Sequence, residues 1–329
     1  MQGDLPAEFK RLQQETKQIL EEFQAYNSNI VFEFVDPMEN QEESMDLIKD
    51  LYRKGLTPIN ITVDDKGKQS QALVFPWAIA TYDNKEVSIP LLKNQMGAST
   101  TQKVIGSVQH LEYSFSDAFN KITKAKQKKV AIIKGNGELK EAFIAKFLLQ
   151  VRDSYFIAPF TLDSVAKNPE GSLQALKEYD LAVIAKPSEA FSESEKQVLD
   201  QYLMNGGKTI WLVDQVVAEI DSLYNPSGAS LAYPRDLNIN DLFFKYGIRI
   251  NPDIVKDEQG SPIQLASGEP GSATRFQQFN WKYAPLVTPI STHPIVKNLG
   301  GIKFDFANSI DTLKNSIKKT VLLQSSTYS

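Results

Sequence analysis

Apolar positions along the chain change period repeatedly, and each change marks an element. Phe9, Leu12, Thr16, Ile19, Leu20, Phe23 and Tyr26 recur at spacings of three and four behind Asp4, Pro6 and Glu8, which predicts an opening helix with one inner stripe. A helix this apolar needs a sheet beneath it. Residues 29–35, apolar on both faces, predict a strand, followed by a helix carrying Met45, Ile48, Leu51 and Tyr52 and stopped by Gly55. Pro58 opens a strand over 59–63, the turn Asp65-Lys66-Gly67 follows, and 72–75, 79–82 and 87–91 give further strands broken at Asp83-Asn84. Val104, Val108, Leu111, Phe115, Phe119 and Ile122 then hold one stripe, which predicts a single long helix with His110 inside it.

From Val130 the pattern becomes a regular alternation. Strands are expected at 130–134, 155–162, 181–185 and 209–213, with helices at 138–151, 173–179 and from Glu193. The last helix is the most sharply specified. Ser192 followed by Glu195 is a capping box, Val198, Leu199, Tyr202 and Leu203 share a face, and Gly206-Gly207 supplies a left-handed stop. Alternation of this kind implies a doubly wound parallel sheet. After Asp214 the pattern loosens: a short helix over 238–246 stopped by Gly247, a strand over 248–255, a mobile loop over 267–272, and last strands at 302–306 and 321–323. Phe279, Trp281 and Tyr283 alternate along a strand, and packing against the sheet is the ordinary explanation, with a partner-docking surface as the other.

Length and composition narrow the function classes. The 329 residues suffice for two domains, expected over 1–125 and 126–329, with an irregular insertion at 215–300. A formal net charge of −4 gives no broad footprint for nucleic acid. The absence of cysteine excludes disulfides, thiolate metal sites and thiol nucleophiles and leaves the redox compartment open. No run is apolar enough to span a membrane, and both ends read as cut from a longer polypeptide. Lys121, Lys124, Lys126, Lys128 and Lys129 crowd the junction between the halves, where a solvated helix end explains them better than contact with anionic lipid.

Candidate chemistry collects where the fold class puts it, at the carboxyl ends of the parallel strands. Gly135-Asn136-Gly137 follows the first strand of the second half, so its amides could face a phosphate, but a dinucleotide motif would want glycine where Lys140 stands, and Asp163 lies too far along. Lys186, Ser188 and Asp214 end the next strands. Together Gly135, Asn136, Lys186, Ser188 and Asp214 are the ligand-binding candidates, with Lys186 meeting an anionic group of a small molecule or glycan. His110 and His293 are the only histidines and show no metal-site spacing, and Glu42-Glu43 and Asp64-Asp65 read as solvated carboxylates. No cofactor, metal or catalytic set is predicted.

Three resemblances follow. With one strand restored upstream, the first half resembles a thioredoxin-like domain in topology, with Thr57-Pro58 where that fold often has a cis-proline but with Gly3-Asp4-Leu5-Pro6-Ala7-Glu8 in place of the redox cysteines. The second half resembles the class I glutamine-amidotransferase, flavodoxin-like fold. Ala185-Lys186-Pro187-Ser188-Glu189 lacks the glycines that flank a nucleophile elbow, so a hydrolase using Ser188 with His293 stays the alternative. The segments GDLPAEFKRLQ, NIVFEFVDP, GLTPINI and YDLAVIAKP to WLVD resemble the gliding-motility-associated ABC-transporter auxiliary proteins of Bacteroidetes, the GldG family, over the whole chain. That resemblance implies a non-catalytic periplasmic ectodomain, anchored by segments outside this stretch, that binds the permease and ATPase of an ABC transporter. Its amidotransferase-like half also resembles a domain of intraflagellar transport proteins.

Overall fold

The computed structural model describes residues 5–37, 41–65, 68–93, 98–225, 227–267, 275–289, 292–297 and 299–329, and it divides into two units, Met1–Ala125 and Lys126–Ser329. The turn at 65–67, the loop at 267–272 and the side chains of Glu42, Glu43, Asp64 and Asp65 lie outside the described residues.

The first unit is helical with two hairpins. Helix α1 (Ala7–Tyr26) and helix α2 (Gln41–Arg53) precede strands β1 (Ile59–Asp65), β2 (Lys68–Val74), β3 (Trp77–Tyr82) and β4 (Lys85–Pro90), and helices α3 (Thr100–Val108) and α4 (Leu111–Thr123) follow. β1 pairs antiparallel with β2, and β3 with β4. Asp83 and Asn84, with φ of 48° and 58°, form the two-residue turn of the second hairpin, where the left-handed backbone matches strand twist. Phe9 and Leu12 of α1 pack with Ile61, Val74 and Ile89 of the hairpins and with Val104, Leu111 and Phe115 of the closing helices.

Four expectations need correction here. Residues 29–35 belong to no strand among the described residues; Phe32, partly buried, packs on the core while Val31 is 82% exposed, so only one face is covered. Tyr26 leaves the α1 stripe and is exposed, and Met45 and Tyr52 leave α2 half-open. Thr57–Pro58 is trans, as are all described peptide bonds. The long helix is two helices, because Ser107 accepts from the Lys93 amide at 2.7 Å while donating back to Lys103 O, and the His110 amide takes a tight bond to Ser107 O at 2.9 Å. His110 therefore stands before α4, its ring 4.9 Å from that of Tyr113. Burial, then Lys93, pulls its pKa below the ordinary imidazole value.

The second unit carries the parallel sheet. In chain order it runs β5 (Lys129–Lys134), α5 (Glu141–Ser154), β6 (Phe156–Thr161), α6 (Pro169–Leu176), β7 (Leu181–Ala185), α7 (Glu193–Met204) and β8 (Lys208–Leu212). All neighbours are parallel, in the order β6-β5-β7-β8. Strand periodicity of two assigns the faces. Ala131, Ile133, Ala182 and Ile184 pack on Leu176 of α6 and Val198, Leu199 and Tyr202 of α7, whereas Val130, Ile132 and Val183 pack on Ile144, Leu148 and Val151 of α5. Helices thus cover both faces. The capping box forms as its residues dictate: the Glu195 amide donates to Ser192 Oγ at 3.3 Å and the Ser192 amide to Glu195 Oε2 at 2.6 Å. Gly206, at φ +92°, supplies the stop; Gly207 is needed for space, since a Cβ there would lie 2.4 Å from the Tyr202 ring.

Beyond β8 come β9 (Val216–Val217), β10 (Tyr233–Pro234), α8 (Asn240–Lys245), β11 (Ile248–Ile250), β12 (Gly260–Ser267), β13 (Arg275–Val287), β14 (Ile302–Lys303) and β15 (Ile310–Thr312). β11 is shorter than its apolar run because Asn251 turns its side-chain amide to Ser309 Oγ at 2.9 Å, and β14 ends early before Phe306, which is left-handed at φ +52°. Residues 321–323 form no strand; the segment after them is tied to buried Asp257, which accepts from the Ser326 amide at 2.7 Å and from its hydroxyl at 2.5 Å.

Candidate functional site

Strand order in the parallel sheet reverses between β5 and β7, so the crevice outside their carboxyl ends is where a ligand of this architecture would sit. All five sequence candidates lie along this edge. Gly135 and Gly137 follow β5 with φ of +123° and +68°, Lys186 follows β7 with φ +52°, and Asp214 follows β8.

The two loops that flank the crevice are joined directly. Ser188 Oγ donates to Gly137 O at 2.8 Å, the Ser188 and Glu189 amides donate to Asn136 O at 2.9 and 3.0 Å, and the Leu139 amide donates to Ala185 O at 3.0 Å. A Cβ on Gly137 would lie 2.1 Å from Ser188 Oγ, so glycine is what allows the loops to approach this closely. The chain's own groups occupy the crevice. A phosphate over the Gly135 turn meets the wrong surroundings as well: a Cβ there would stand 2.8 Å from the Asp163 carboxylate, and the Asn136 amide already donates to Glu138 Oε2 at 2.9 Å.

Each remaining candidate has a partner. The Lys186 ammonium lies 2.6 Å from Glu219 and 3.2 Å from Asp214. Burial alone would lower its pKa, but the hydrogen bonds and charges of these two carboxylates outweigh it and hold the pKa above the ordinary lysine value. An anionic ligand would have to displace a carboxylate to reach it. Ser188 spends its proton on Gly137 O and has no hydrogen bond to His293 among the described residues; His293 Nδ1 accepts from the Ile295 amide at 3.3 Å in its own turn. Neither is arranged as a nucleophile and base.

Sequence reasoning passed over two groups here. Glu195, legible as a cap, also accepts from Asn136 Nδ2 at 3.2 Å and so ties α7 to the β5 loop. Glu138 is partly buried, and burial raises its carboxyl pKa; its Oε1 and Asn136 Oδ1 have no hydrogen-bond partner among the described residues. Among the described residues no three acidic or histidine side chains are grouped to hold a metal.

A second concavity opens beside this edge. Residues 218–225 and 227–232, which lie between β9 and β10, contribute to the lining of a cavity of about 380 Å³ together with Ile254, Trp281, Tyr283 and Phe306. The rings of Trp281 and Tyr283 are 5.6 Å apart and those of Trp281 and Phe306 6.5 Å. Asn225 fixes the loop from within, donating to Ser222 O at 2.7 Å and Ala229 O at 2.9 Å. The aromatic alternation along β13 was the signal for this cavity. That stripe does not pack into the sheet throughout, since Phe279 and Tyr283 remain 45% and 40% exposed.

Residues 127–329 match the family described as an ABC-type uncharacterized transport system, and residues 1–81 match a domain of unknown function. No curated protein matches the chain. Among solved structures, the mmIFT52 N-terminal domain aligns at 17% identity over 60% of this chain and 72% of its own, with a TM-score of 0.40.

Proposed function

The chain belongs to the ABC-type uncharacterized transport system family, as an auxiliary protein of ABC transporters, and from that premise we propose that it is a non-catalytic binding module that docks on the permease and ATPase of its transporter. The family match over residues 127–329 carries the reading. A non-catalytic role is supported by the carboxyl edge of the sheet, where Lys186 and Ser188 are already engaged by Glu219, Asp214 and Gly137.

The finer terms of the proposal rest on the resemblance of GLTPINI and of the block from YDLAVIAKP to WLVD to gliding-motility auxiliary proteins. They are a periplasmic location, anchoring by segments outside this stretch, and a role in gliding motility in Bacteroidetes. No described helix is long and apolar enough to cross a membrane. We read residues 126–329 as an amidotransferase-like, flavodoxin-like scaffold, which the parallel order β6-β5-β7-β8 supports, and residues 1–125 as a thioredoxin-like scaffold without redox residues.

Co-expression with the permease and ATPase tests the proposal. The chain in its full-length protein is expected to co-purify with them and to change their ATP hydrolysis. Failure of both, with all three proteins folded, would end it.

A further inference from the structure

Residues 313–329 form neither helix nor strand, yet they are pinned at two points. The Leu313 amide donates to Gly247 O at 2.8 Å, and Ser326 is held by the buried Asp257 carboxylate, to which its amide donates at 2.7 Å. The segment is therefore a strap, and its charge departs from that of the chain. Whereas the whole chain carries a formal −4, residues 312–329 hold Lys314, Lys318 and Lys319 and no acidic residue.

Four lysines gather where the strap meets α8. A Cβ on Gly247 would stand against the side chains of Lys319 and Asn315, which brings Lys314, Lys318 and Lys319 to the turn after α8, and Lys245 is the last residue of that helix. Lys245, Lys314 and Lys318 are exposed and Lys319 is half-buried. The carboxylates of Asp241 on α8, of Asp200 against Tyr246 and of Asp311 beside the strap are committed elsewhere: Asp241 lies 2.8 Å from Lys196, Asp200 accepts from the Tyr246 hydroxyl at 2.9 Å, and Asp311 pairs with Arg249. Like charges gathered without counter-charge repel one another, and an external anionic surface relieves that repulsion.

A solvated face is the ordinary explanation for surface lysines, but it does not account for the apolar side chains exposed among these. Ile317 is 42% exposed and Val321 58%, and Phe244, beside Lys245, is 48% exposed. Lysines interspersed with exposed apolar groups match a bilayer interface, where ammonium groups meet anionic headgroups and apolar groups enter the acyl boundary. A nucleic-acid backbone or a run of carboxylates would use the charge and leave Ile317 and Val321 in water. We propose that residues 313–323, with Lys245, form a docking surface for an anionic lipid bilayer. The inference goes beyond the reading of the chain as a transporter-binding module and does not rest on it. Because the strap is fixed at Gly247 and Asp257, its lysines are presented with little ordering on binding.

The test sediments the 329-residue chain with vesicles of phosphatidylcholine alone or of phosphatidylcholine and phosphatidylglycerol in equal parts. The chain should pellet with the mixed vesicles at low salt, stay in solution with phosphatidylcholine alone, and be released as salt rises. Each lysine at an anionic leaflet is worth about five-fold in partitioning, so Lys314→Gln/Lys318→Gln should weaken binding by about 25-fold. Lys124→Gln/Lys128→Gln removes the same charge from exposed lysines at the junction of the two units and should leave binding nearly unchanged. Ile317→Ser/Val321→Ser, with every charge intact, should weaken it severalfold. Urea midpoints equal to that of the parent show that the variants fold. No pelleting with mixed vesicles, equal pelleting with phosphatidylcholine alone, equal weakening by the junction pair, or no loss from the serine pair overturns the proposal. Retention by polyglutamate in place of vesicles assigns an acidic polypeptide as the partner and overturns it too. No transporter subunit is present, so such a failure leaves the co-purification experiment above to succeed or fail by itself.

Discussion

Replacing Gly137 by alanine tests whether the crevice between β5 and β7 is closed by the loops themselves. Two costs combine. At φ +68° an alanine sits in the left-handed region at about 1–2 kcal/mol. Its Cβ would also stand 2.1 Å from Ser188 Oγ, 3.1 Å from Glu189 Cγ and 3.3 Å from the Glu189 amide nitrogen. Ser188 is exposed and can turn its hydroxyl into water, so the clash is relieved by giving up the bond to Gly137 O, about 0.5–1.5 kcal/mol. The expected loss is therefore about 1.5–3.5 kcal/mol. Gly206 is the control, because it is left-handed at φ +92° with nothing within 4 Å of an added methyl, and Gly206→Ala should cost only about 1–2 kcal/mol. Urea unfolding followed by tryptophan fluorescence in a Trp77→Phe background reads residues 126–329, which hold Trp211 and Trp281. The double variant Gly137→Ala/Ser188→Ala should be less destabilised than the sum of its parts by about 1 kcal/mol, since both lose the same hydrogen bond. Equal losses for Gly137→Ala and Gly206→Ala, or strict additivity with Ser188→Ala, would refute the stitched-loop account.

Two further outcomes follow from the packing of α7 and α8. Lys196 is 6% exposed and lies 2.8 Å from both Asp241 and Glu193; Asp241→Ala should cost about 2 kcal/mol by leaving the buried ammonium with the exposed Glu193 as its one carboxylate partner among the described residues, whereas the apolar pair Lys196→Met/Asp241→Leu should recover most of it, both read by urea midpoint. Tyr246 donates to Asp200 at 2.9 Å, and burial, then Asp200, pushes its phenol up to about 12. Because this folded pKa lies above the unfolded value near 10, its contribution is whole below pH 10 and is lost as pH rises to about 12. Tyr246→Phe should flatten that alkaline decline in a series of unfolding curves, and an unchanged slope would count against the assignment.

The features legible in advance were those set within one or two turns of chain. The Ser192–Glu195 box, the Gly206 stop and the two-faced apolar runs of β5 and β7 depend on neighbours three or four residues away or on simple alternation. The elements misread were those in which a distant group intervenes. Ser107 interrupts a continuous stripe because it serves the amide of Lys93, and β11 stops short because Asn251 serves Ser309. Residues 29–35 carry the composition of a strand, yet they join no ladder among the described residues.

The candidate edge shows the same division. Its residues were placed by sequence, since strand ends in an alternating β/α pattern fix where loops emerge. Their chemistry was not. That Lys186 is left-handed and held between Asp214 and Glu219, and that Ser188 closes onto Gly137, are contacts between loops far apart along the chain. The aromatic cavity depends still more on folding, drawing Glu219, Leu231, Ile254, Trp281 and Phe306 from separate segments. Sequence alone determined the alternation of elements, the absence of thiol chemistry and the edge to inspect, because periodicity, capping and composition are local properties. Only the tertiary structure decided that Lys186 and Ser188 at this edge are already engaged and that an open apolar cavity lies beside it, because hydrogen-bond pairing and enclosed volume arise only when distant segments meet.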